Sequence, residues 1–138
     1  MQVENRILLV EHDPPMRRSL ENFLERAGYA FYSCATARDA LSLVLRERYA
    51  VVIAEYHLPD ANGAMLLQKL VQVEPELGTI LLSEYDFEVI ADDLARAKVG
   101  AFLKKPFDLV ELEAALSAAR SPVEASAGAS PAGTGILL

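Results

Sequence analysis

Short unbroken apolar runs alternate along this chain with longer stretches in which apolar residues recur every three or four positions. The first kind fits strands buried on both faces, the second helices with one inward face. Ile7 to Val10 is the first strand. Asp13 then caps a helix whose Pro14 sits in a first turn that has no use for its missing N–H. Met16, Leu20, Phe23, Leu24 and Ala27 share the apolar face of that helix, and Gly28 ends it as a left-handed cap. Tyr29 to Cys34 supplies a second strand, and Thr36 with Asp39 has the form of a capping box. The helix it opens turns Ala40, Leu41, Val44 and Leu45 inward. The third strand, Ala50 to Glu55, is apolar until its last residue, which leaves a carboxylate at the end of a buried strand.

The loop YHLPDANG is dense in turn formers and leads into a helix with Leu66, Leu70 and Val71 on its inner face, broken by Pro75. Thr79 to Ser83 predicts a fourth strand and residues 86–98 a fourth helix, after which Gly100 turns the chain into the short strand AFLK. Lys105-Pro106 ends that strand. Asp108 with Glu111 opens a last helix carrying Leu109, Leu112, Ala115, Leu116 and Ala119 at helical spacing. Residues 121–138, SPVEASAGASPAGTGILL, are expected to be a disordered Ala/Gly/Ser/Pro-rich tail behind a single domain over 1–120. Five β-then-α units joined by short loops predict an α/β fold: a doubly wound five-stranded parallel sheet covered on both faces.

Composition narrows the function. With 138 residues, 52% of them hydrophobic, the chain can build a core without staples. The single Cys34 has no partner for a disulfide, and core packing in a reduced, cytoplasmic protein is expected of it. A formal net charge of −7 and a pI near 4.8 speak against direct nucleic-acid binding. No stretch approaches the length of a membrane span.

In such sheets ligands collect at the carboxyl ends of the strands. The first strand delivers Glu11, His12 and Asp13 there, the third Glu55, the fourth Ser83 and Glu84, the fifth Lys104 and Lys105. Acids, a hydroxyl and an ammonium converge. No histidine can be argued to lie beside Ser83, so a serine hydrolase is not indicated.

Four blocks in order, ILLVEHDPPMRRSLENFLERAGY, AVVIAEYHLPDANG, TILLSEYD and GAFLKKPFDLVELEAAL, make residues 6–120 similar to the receiver domain of two-component response regulators, a flavodoxin-like fold. In that family an acidic pair after the first strand holds Mg²⁺. An aspartate ending the third strand takes a phosphoryl group from a histidine kinase, and a Ser/Thr and a Lys report it. By this resemblance Ser83 is the switch hydroxyl, Lys105 the phosphate-contacting lysine, Pro106 the residue after a cis bond, and Phe102 the aromatic switch position. The resemblance implies a cytoplasmic bacterial signalling protein, not an enzyme, that meets a histidine kinase or an output protein. It also implies possible pairing with a second copy through the last two helices.

The chemistry departs from that pattern at two places. Glu55 stands four residues before Pro59, where the acceptor aspartate belongs, and is one methylene too long for in-line attack in a pocket built for aspartate. Glu11 and His12 stand where two acids are expected, and an imidazole is a poor ligand for Mg²⁺. No cofactor is therefore expected, beyond weak Mg²⁺ binding at Glu11, His12 and Glu55, with Asp13 occupied as a helix cap. The reading that follows is a pseudo-receiver working by protein contacts without phosphorylation. A Glu55 carboxylate reaching Lys105 and Ser83 would imitate the phosphorylated charge; a form frozen inactive, or governed by partner binding alone, stays open beside it. The alternative is a conventional receiver accepting phosphate on Glu55 or on a neighbouring acid such as Asp13 or Asp60.

Overall fold

The structure, a computed structural model, describes residues 5–120; the segment 121–138, expected to be disordered, lies outside the described residues. The chain runs β1 (Ile7–Val10), α1 (Pro14–Arg26), β2 (Phe31–Cys34), α2 (Ala37–Arg46), β3 (Val51–Glu55), α3 (Gly63–Val73), β4 (Gly78–Ser83), α4 (Ala91–Ala97), β5 (Ala101–Lys104) and α5 (Leu109–Arg120), with a 3₁₀ turn at Phe87–Ile90 before α4. The strands pair in the order β2-β1-β3-β4-β5. All four pairings are parallel.

The apolar runs behave as two-sided strands. Leu8, Val10, Val52, Ala54, Leu81 and Phe102 face α2, α3 and α4, whereas Ile7, Leu9, Val51, Ile53, Ile80, Leu82 and Leu103 face α1 and α5. All four β1 side chains are fully buried, each large aliphatic one contributing about 1.5–3 kcal/mol. Sealing both faces forces functional groups to the strand ends, where loops open to water.

Local signals act at the helix starts. Asp13 accepts from the Met16 N–H, Thr36 from the Asp39 N–H, and Asn62 from the Ala64 and Met65 N–H groups. Gly28 takes a φ of +86° just past α1, a conformation that favours glycine.

Several expectations need correction. Ala27, Leu45 and Leu109 are exposed rather than inward. Ala27 is the cap residue beyond the last turn of α1, and Leu45 lies beside the narrow buried stripe Ala37, Ala40 and Val44 of α2. Leu109 opens α5 and borders a surface groove with Met16 and Leu20. The fourth helix is a 3₁₀ turn followed by a seven-residue α4. Asp86 makes no side-chain cap there, and the β-branched Val89 and Ile90 lower the propensity for a full α-helix at that point.

Candidate functional site

At the carboxyl end of the sheet β1 is followed by Glu11, β3 ends in Glu55 and β4 in Ser83, all three buried. Lys105, one residue past β5, sends its Nζ between the two carboxylates. It donates to Glu11 Oε1 at 3.1 Å and to Glu55 Oε1 in a shorter contact. The other oxygens are engaged as well: Glu11 Oε2 accepts from the Asp13 N–H at 3.2 Å and Glu55 Oε2 from the His57 N–H at 2.8 Å. Two acids and one lysine thus share a buried place at the edge of a pocket. Burial pushes the Glu11 carboxyl above its usual range, against the pull of Lys105. Burial also opposes the Lys105 ammonium, but the Glu55 hydrogen bond and the Glu11 and Glu55 charges outweigh it and hold its pKa above the ordinary lysine value. The triad opens into a pocket of about 550 Å³ whose rim carries His12, Asp13, His57 and Glu84.

Of the remaining residues singled out in the sequence, His12, Asp13 and Pro106 line the pocket with this triad, and Ser83, Phe102 and Asp60 do not. His12 is exposed at the rim. Asp13 lines the pocket while its Oδ2 caps α1 at 3.1 Å. Ser83 makes no hydrogen bond to Glu55: its Oγ accepts from the Tyr85 N–H at 2.9 Å and its carbonyl from the Lys105 N–H at 2.7 Å. Glu55 bonds to the Lys105 ammonium and to the His57 N–H. The Lys105–Pro106 bond is cis. Phe102 is buried edge-on against Phe87, with ring centroids 5.9 Å apart. Asp60 is held at the start of α2, accepting from the Ala37 and Arg38 N–H groups at 2.9 and 3.0 Å.

The model of the response regulator receiver domain family matches residues 7–117. The chain belongs to that family. Among curated relatives, the transcriptional regulatory protein BasR of Escherichia coli is 34% identical over 82% of this chain, which spans 51% of BasR's length. The response regulator receiver protein CpdR of Brucella abortus is 30% identical, with 78% of this chain and 89% of CpdR covered. The receiver domain of an HD domain-containing protein from Pseudomonas fluorescens Pf-5 superposes with a TM-score of 0.77 at 31% identity, covering 83% of this chain and 92% of that one.

The donor set in this strand-end pocket fits Mg²⁺ poorly. Every carboxylate oxygen of Glu11 and Glu55 already accepts a hydrogen bond. His12 offers nitrogen where a hard cation takes oxygen. Among the described residues no group of three His, Cys, Asp or Glu side chains is arranged to hold a metal ion, and no helix is long and apolar enough to cross a membrane.

Sequence reasoning missed the aromatic cluster beside the pocket. His57 Nε2 lies 2.9 Å from the Tyr85 hydroxyl, and the Tyr56 ring packs edge-on against both rings. The Tyr56 hydroxyl donates to Asp93 Oδ2 on α4 at 2.6 Å and accepts from Asn62 Nδ2 at 3.0 Å. The signal available was an aromatic residue directly after a strand-end acid, which by itself names no partner.

Proposed function

We propose that this receiver domain is a pseudo-receiver: a non-enzymatic module of a two-component system that signals in the cytoplasm through protein contacts, without phosphorylation and without Mg²⁺. The observation that carries this reading is the buried pairing of Glu55 with Lys105. By the resemblance, Lys105 is the group that meets a phosphoryl oxygen, and its ammonium is already engaged by two carboxylates. A phosphoryl group would have to displace that buried ion pair, at the cost of its mutual contacts. Glu55 would also attack from one methylene too far along, in a reaction that rewards placement within fractions of an ångström. Asp60 is a weak alternative acceptor because both its oxygens bond to the start of α2, and Asp13 is committed to capping α1. Partner contact, with a histidine kinase, an output protein or a second copy, is assigned to the face built by α4, β5 and α5. There Phe87, Val89 and Val110 are exposed.

The test is intact-protein mass spectrometry after incubation with acetyl phosphate and Mg²⁺, with Glu55→Asp run in parallel. The wild-type chain is expected to gain no phosphoryl group. Stoichiometric gain by wild type would overturn the reading, and mapping the modified residue would identify the acid that serves. Gain by Glu55→Asp alone would place the block at the extra methylene; absence of gain in both would place it at the altered acidic pair as well.

A further inference from the structure

Tyr56 stands between the pocket and α4 and bonds to neither end weakly. Its backbone is pinned beside the site: Glu55 precedes it, and Glu55 Oε2 holds the N–H of His57 just after it at 2.8 Å. The Tyr56 N–H donates to Leu82 O at 2.8 Å, and its carbonyl accepts from the Gly63 N–H at 2.7 Å. From this fixed base the phenol reaches across to Asp93 in a charge-assisted bond of 2.6 Å. Asn62 closes the arrangement. Its Oδ1 caps α3, while its Nδ2 donates to the Tyr56 hydroxyl at 3.0 Å and to Asp93 Oδ2 at 3.3 Å. Arg96 holds the other Asp93 oxygen at 3.1 Å. The Asp93 carboxyl lies below the usual range, chiefly because of the Tyr56 hydrogen bond, and the Tyr56 phenol lies above its own, with that same bond as the largest cause.

The helix at the far end packs on α3 and is anchored in the core by few residues. α4 is seven residues long, has no side-chain cap at its start and buries only Leu94 and Ala97. A helix that short is not stable alone, so its position is set by its packing on α3 together with the bonds that Asp93 makes.

We propose that Tyr56, with Asp93 and Asn62, is a positioning clamp that couples the state of the Glu55 carboxylate to the placement of α4. When Glu55 exchanges one partner for another, its hold on the His57 N–H changes, the backbone on either side of Tyr56 shifts, and the phenol carries that shift to Asp93. Phe102 and Ser83 take no part in this route. It stands whether or not the pocket accepts a phosphoryl group, since any event that alters the bonding of Glu55 feeds it.

Hydrogen exchange read by mass spectrometry over residues 91–97 of the full chain tests the clamp. Tyr56→Phe and Asp93→Ala are each expected to speed exchange there by about tenfold, the scale of one charge-assisted hydrogen bond. The double variant is expected to be no faster than the faster single one, because both remove the same bond. Asp92→Ala, which loses the same helix-start charge without that bond, is expected to change exchange far less. The coupling itself is read with Glu55→Gln, which is expected to shift α4 exchange severalfold with Tyr56 present and not at all in the Tyr56→Phe chain. No shift with Tyr56 present, or an equal shift in both backgrounds, would overturn the proposal. Should Tyr56→Phe fail to fold, Asp93→Ala on the partly exposed side of α4 takes its place in the cycle.

Discussion

Lys105 is the only cation bonded to the two buried acids among the described residues, and its removal isolates the electrostatics of the site. Replacing it with methionine keeps most of the volume and leaves Glu11 and Glu55 facing each other without a counter-charge. Breaking a sealed ion pair from one side costs about 3–5 kcal/mol. The pocket here opens to water past His12, so Lys105→Met is expected to lose about 2 kcal/mol, measured as a lowered urea midpoint at neutral pH. A loss within experimental error would mean that the carboxylates are solvated well enough to do without the lysine. Cys34 behaves as the sequence suggested of a lone core thiol. It is half-buried, its Sγ lies 3.8 Å from the Thr36 carbonyl, and burial pushes its pKa up to about 11, which leaves little thiolate to react.

At the scale of the element, the start of α3 sets where Glu55 can sit. A Cβ at Gly63 would stand 2.1 Å from the Glu55 carbonyl oxygen and 3.0 Å from the Tyr56 Cα. Neither atom belongs to a side chain that could swing aside. Gly63→Ala gains up to about 1 kcal/mol of helix propensity, but the backbone of β3 or of α3 must move to admit it. The expected result is net destabilisation of about 2 kcal/mol in urea unfolding. Net stabilisation would show that the close approach of α3 to β3 can relax freely. The end of α4 shows the same dependence on surroundings: the left-handed residue there is Lys98, at φ 55°, not a glycine. Its N–H reaches Ala95 O at 3.2 Å, and the next residue's N–H reaches Leu94 O at 3.1 Å.

For the whole molecule, the shifted groups predict an asymmetric response to pH. Lys105 is held above its ordinary 10.5 in the folded state. Its contribution is therefore complete below 10.5 and is lost as pH rises through the folded value. Tyr29 and Tyr49, raised chiefly by burial, and Tyr56, raised chiefly by its bond to Asp93, sit above their ordinary 10.0 and act with the same sign. At the acid end the contributions oppose one another. Asp60 and Asp93, lowered from 3.8 mainly by their hydrogen bonds, lose theirs as pH falls through the depressed values. The contribution of Glu11, raised from 4.5, is present at low pH and lost as pH rises through its folded value. A series of urea midpoints is therefore expected to fall steeply above pH 10.5 and to change more gently below 4.5. A flat alkaline limb would remove the Lys105 triad from the list of stabilising contacts. Residue order alone carries the alternation of strands and helices, the parallel two-sided sheet, and the set of groups at its carboxyl end, because burial on two faces or on one stripe writes its period directly into the chain. It also placed Glu55 and Lys105 in one pocket through the family resemblance. Which groups bond is visible only in the folded arrangement: Lys105 with Glu11 and Glu55, Ser83 with Tyr85, Tyr56 with Asp93. Those partners come together through strand order, register and the approach of α4, and contacts between residues as far as 94 positions apart leave no period in the chain to be read.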